Sequence, residues 1–133
     1  MAITYDGYLN VLFVADLGRA RDFYENAMSL EHVHGTDGVD AYFKIGSDGL
    51  MLISDNTADD LLSPGDVDRE PSRGARFVMA TEVADVDAAY AELRERGVAF
   101  LRVPEDRPWG LRCAHFTDPD GNVWEIHTPT GAR

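Results

Sequence analysis

The spacing of apolar and polar residues changes period several times along the chain. "YLNVLFVAD", residues 8–16, is a near-continuous apolar run, as in a strand covered on both faces. From Leu17 the period becomes helical. Leu17, Ala20, Phe23, Tyr24 and Ala27 share one face of "LGRARDFYENAM", and Asp16 stands where an N-cap belongs. "EHVHG", "DAYFKIG" and "LMLIS" read as short strands, with "SDG" turning between the last two. Residues 55–73, "DNTADDLLSPGDVDREPSR", are polar and acidic with two prolines, and read as a connecting segment.

The same order then returns. "ARFVMATEVAD" predicts a strand, and "VDAAYAELRERG" a helix capped by Asp85 and stopped by Gly97. "VAFLRV", "LRCAHFT" and "VWEIH" predict three more strands, joined by the loop "PEDRPWG" and the turn "DPDGN". In that turn Pro119 fixes the second position and Gly121 admits positive φ. Val14-Ala15-Asp16-Leu17 reappears as Val83-Ala84-Asp85-Val86, and Gly49 is matched to Gly121. The pattern is that of an α+β protein with two tandem βαβββ modules, about 8–54 and 74–129, in a single domain. One such module cannot bury both faces of its sheet. Two can, with helices outside and a cupped mixed sheet inside.

Composition narrows the classes. The 133 residues are 44% hydrophobic and 27% charged, with no run near the ~20 apolar residues of a membrane span. The N-terminus lacks a basic start and a signal core, so a cytoplasmic protein is expected. Net charge of −12 disfavours nucleic acid and anionic membranes as partners and favours cationic ligands. The single cysteine, Cys113, excludes an intrachain disulfide. There is no glycine-rich phosphate loop.

"VLFVADLGRARDFYENAMSL", "VADVDAAYAELRERG" and "PWGLRCAHFTDPDGNVWEI" together resemble the vicinal oxygen chelate superfamily, which includes glyoxalase I, extradiol dioxygenases, fosfomycin-resistance transferases and bleomycin-resistance proteins. The resemblance implies paired βαβββ modules and a homodimer. It also implies where metal-using members carry ligands: on the first and last strand of each module. Counting from the capping Asp gives Leu9 and Val78; counting from the turn Gly gives Ile53 and Glu125. Only Glu125 offers a donor, and the neighbours Asn10, Phe77 and Leu52 are no better. A catalytic divalent ion takes about three protein ligands. No family-type metal and no other cofactor is therefore expected.

Strand alternation selects what else faces the cup. Glu125 and His127 share a face of the last strand with Val123, and Cys113 and His115 share a face of the strand before it. Phe13 comes from the first strand. The fosfomycin-resistance enzymes use the position of His115 against substrate, and its counterpart in the first module falls on Phe43 or Tyr42. Trp109 either stacks on a ligand, as the resemblance to drug-binding members implies, or closes its loop onto the sheet. Glu125 is a ligand anchor, a partner of Arg112 or a solvated rim residue. His32 and His34, two apart, are expected on one strand face. Cys113 reads as a small buried residue rather than a nucleophile. The expected function is binding or sequestering of a small aromatic, cationic compound such as an antibiotic of the bleomycin or mitomycin type, with no catalysis or only weak catalysis. The alternatives are a metal-dependent lyase, isomerase or dioxygenase with a relocated site, and metal-free acid–base chemistry by Glu125 and His115.

Overall fold

A computed structural model describes residues 2–67, 75 and 77–131. The chain forms two compact units, 1–69 and 70–133. In the first, strands β1 (Leu9–Val14), β2 (Glu31–Thr36), β3 (Asp40–Ile45) and β4 (Asp48–Ser54) are ordered β1-β4-β3-β2, with β1 parallel to β4 and the other pairs antiparallel. Helix α1 (Leu17–Asp22) crosses between β1 and β2 and widens into a π-turn over Phe23–Ala27. Asp16 caps it, its carboxylate accepting the Arg19 amide at 3.0 Å. β3 and β4 join through Gly46 and Ser47, with Gly46 at φ 57° in the first loop position, where the twist of a tight hairpin favours glycine. The turn thus starts one residue earlier than the expected "SDG", at Gly46, and Gly49 belongs to β4.

The second unit repeats the plan. Strands β5 (Met79–Glu82), β6 (Ala99–Phe100), β8 (Leu111–Thr117) and β9 (Val123–Pro129) are ordered β5-β9-β8-β6, with β5 parallel to β9. Helix α3 (Val86–Glu95) follows β5, its first turn capped by Asp85 on the Ala88 amide at 3.1 Å. Gly97 ends the helical segment at φ 86°. "VAFLRV" contributes only two strand residues, and the loop "PEDRPWG" contains a second short strand, β7 (Glu105–Asp106), paired with β8. The turn between β8 and β9 is built around buried Asp118. Its carboxylate accepts the amides of Asp120 (3.0 Å) and Asn122 (2.8 Å) and the Asn122 side chain (2.9 Å).

Residues of alternating parity make each core. In the first unit Leu12, Val14, Ala41, Phe43, Leu50 and Leu52 are buried on the helix side of the sheet with Ala20 and Tyr24. In the second, Ala114, Phe116, Trp124 and Ile126 occupy the corresponding places, with Val86 from α3. Phe116 lies parallel to Trp124, their ring centroids 6.4 Å apart, and meets Phe100 at 5.3 Å. β1 is therefore covered on its helix side, while Leu9, Val11 and Phe13 on its other side are exposed or half-buried, unlike the two-sided burial its apolar run suggested.

Segment 55–73, expected as a plain connection, opens with helix α2 (Asp55–Leu61) and a short 3-10 turn (Pro64–Asp66); residues 68–73 lie outside the described residues. Among the described residues no helix is long and apolar enough to cross a membrane.

Candidate functional site

The face of the second sheet turned away from α3 carries the chemistry. β8 and β9 run antiparallel with His115 opposite Glu125 and Cys113 opposite His127. The period of two sends all four side chains to this face, because their neighbours Ala114, Phe116, Trp124 and Ile126 take the core face. The Glu125 carboxylate lies between two imidazoles. One oxygen meets His115 Nε2 at 2.8 Å and the other meets His127 Nδ1 at 2.7 Å. All three side chains are largely shielded, with fractional exposures of 16% for Glu125, 18% for His127 and 26% for His115.

Donor and acceptor roles follow from this geometry. An ionised carboxylate only accepts, so each imidazole nitrogen facing it carries the hydrogen. In the neutral rings the remote nitrogens, Nδ1 of His115 and Nε2 of His127, are left as lone-pair acceptors. Cys113 is buried beside this group. Burial pushes its thiol pKa up, the negative charge of Glu125 adds to the rise, and Arg107 opposes it. A thiol held in its protonated form is a weak donor and a poor nucleophile.

Sequence reasoning brought Glu125, His115, His127 and Cys113 together on one face, and the structure joins them. It missed the bracketing of Glu125, which is not a lone acid. It also missed Arg107, whose electrostatic influence reaches Cys113 from the end of β7. The alternating charges of "EDR" were the available signal, but the loop was read only as the carrier of Trp109. That Trp is 56% exposed.

Other expectations are corrected. Arg112 does not partner Glu125. It sits on the opposite side of β8, where its guanidinium holds both oxygens of Asp87 (2.9 and 3.0 Å) and one of Asp106 (3.1 Å). That bond keeps the Asp87 carboxyl below its usual range, and both acidic partners raise the Arg112 pKa. Phe43 is fully buried on the helix side with its ring 6.1 Å from that of Tyr24; Tyr42, opposite Met51, is the residue on the other face. Phe13 is on that other face, half-buried. His32 and His34 do not share a face, because the pairing shifts between them: His32 meets the Phe43 ring and His34 stacks on Tyr42.

The profile of the Glyoxalase/Bleomycin resistance protein/Dioxygenase superfamily matches residues 7–126. The chain belongs to this superfamily. It is 31% identical over 118 residues to the uncharacterized protein YraH of Bacillus subtilis (strain 168), an alignment covering 87% of this chain and 92% of YraH. It is 32% identical over 125 residues to the metallothiol transferase FosB of Shouchella clausii (strain KSM-K16), covering 90% of this chain and 77% of FosB. A crystal structure of a superfamily member from Nocardioides superposes with a TM-score of 0.82 at 26% identity, over 97% of this chain and 86% of that one.

The superfamily's metal has to be tested against the residues present. Register corrects one of the four positions. β5 sets Ala80 opposite Glu125, and the equivalent pair in the first unit is Val11 and Met51, so Met51 rather than Ile53 corresponds to Glu125. Leu9 and Val78 offer no lone pair and Met51 offers only a thioether, which leaves Glu125 as the one carboxylate among the four positions. Among the described residues no three His, Cys, Asp or Glu side chains are arranged to hold a metal ion. The donor set does not fit the family's divalent centre.

Proposed function

We propose that this superfamily member binds a small organic molecule against the face of the second sheet that carries His115, Glu125 and His127, and that it does so without the family's metal. The observation that carries the reading is the bracketed carboxylate: a fixed, largely shielded polar group on an otherwise mostly apolar strand face, at a position where metal-using members place a ligand. Sites for organic ligands combine apolar walls with a few fixed polar groups. An aromatic ligand can also use Trp109, which is exposed and close in sequence to β8. The net charge of −12 favours approach of a cation. A cation gains less from Glu125 than from a free carboxylate, since both oxygens are engaged. Sequestration of an antibiotic of the bleomycin type is one form of this function.

Titration of tryptophan fluorescence with a panel of aromatic antibiotics, alongside metal analysis of the purified protein, tests the reading. Saturable binding that weakens in Glu125→Ala, with no stoichiometric metal, is the expected result. Stoichiometric Zn, Ni, Mn or Fe that is lost in Glu125→Ala overturns it in favour of a metal-dependent lyase, isomerase, dioxygenase or thiol transferase.

A further inference from the structure

From the same cluster, and resting on the small-molecule reading above, we infer that the site is an acceptor site: it selects a molecule presenting a hydroxyl or N–H hydrogen on an apolar body, received by Nε2 of His127 or Nδ1 of His115. The selectivity is set at Glu125. Its two oxygens face Nε2 of one ring and Nδ1 of the other, at 2.8 and 2.7 Å. A carboxylate cannot donate, so it fixes both tautomers at once. With both rings neutral, this geometry places the hydrogen of His115 on Nε2 and that of His127 on Nδ1. Each remote nitrogen is left with a lone pair and, among the described residues, with no hydrogen-bond partner.

Two acceptors on a shielded surface discriminate by what they leave unpaired. A ligand with a hydrogen to give satisfies one of them. An ether or a carboxylate of the same shape cannot, and burying a polar nitrogen without a partner is unfavourable. Discrimination of this kind by a group built to pair with a ligand hydrogen is stronger than discrimination by apolar fit. What the two nitrogens ask of a ligand is thereby a hydrogen to donate rather than a positive charge.

Three matched probes test the inference on the full chain at about pH 7.5, where a phenolic hydroxyl stays protonated: naphthol, its methyl ether, and naphthoate. Fluorescence titration should give naphthol a Kd about tenfold lower than either of the others. Nitrogen-15 correlation spectra of the histidines, without any ligand, should show the hydrogen of His127 on Nδ1 and that of His115 on Nε2. In Glu125→Gln the carboxamide donates to one ring, whose remote nitrogen then becomes a donor, so the preference for naphthol should narrow. Equal binding of naphthol and its ether overturns the inference and leaves small-molecule binding standing. A His127 hydrogen on Nε2 overturns it whatever binds. Failure of all three probes to bind the folded protein counts against both readings. The wild-type measurements hold even if the variant does not fold.

Discussion

If Glu125 is held by both imidazoles, its bonds to His115 and His127 should be separable by double-mutant cycles. The perturbation is Glu125→Ala with His127→Ala, and again with His115→Ala. A hydrogen bond to a charged group contributes roughly 1.5–3 kcal/mol when shielded. The side chains here are 16–26% exposed, so water competes for part of each bond. Removing Glu125 also lets the freed imidazole N–H groups find solvent. These two effects lower the expected coupling to about 1–2 kcal/mol for each pair. The two values should be similar, because the distances differ by only a tenth of an ångström. Urea unfolding at about pH 7.5 measures this, provided the slope of stability against urea is unchanged among the four proteins of each cycle. Couplings below about 0.3 kcal/mol for both pairs are within ordinary additivity. They would refute the bracketed carboxylate and the acceptor site derived from it.

Three further outcomes follow from the same structure. Phe116→Ala should lose about 3–5 kcal/mol of stability by denaturant unfolding, because the fully buried ring sits between Phe100 and Trp124, whereas Trp109→Ala at an exposed site should lose under about 1 kcal/mol. The Asp87 carboxyl, held below its usual range by Arg112, stabilises the fold above the ordinary Asp pKa near ~3.9, and that contribution disappears as pH falls through the lower folded-state value. Acid-unfolding curves of Arg112→Gln should therefore lose less stability in that window than wild type; an identical acid limb would contradict the pairing. If two chains pair, as the superfamily resemblance implies, light scattering should give about twice 14.7 kDa, and a mass of one chain would remove that expectation.

The two-module plan was legible because its signals are local. Asp16 and Asp85 each cap a helix through their own carboxylates, and Gly97 and Gly121 each take the positive φ their positions require. Face assignment was legible where the period of two ran unbroken, as in β8 and β9, and this is why Cys113, His115, Glu125 and His127 could be grouped in advance. It failed where the period was interrupted. The pairing shift in β2 separates His32 from His34, and a hairpin beginning at Gly46 made Gly49 a false landmark, moving the Glu125 counterpart from Ile53 to Met51. The bracketing itself was illegible for a different reason. That Glu125 reaches both a cross-strand His and the His two residues along its own strand depends on rotamers, which no sequence period encodes. Yet the consequence lies in those rotamers. With free oxygens, Glu125 would be an anchor for a cation or a remnant of a metal site. With each oxygen accepting from an imidazole, its charge serves to orient two rings, and under the reading proposed above a ligand is met by their outer nitrogens.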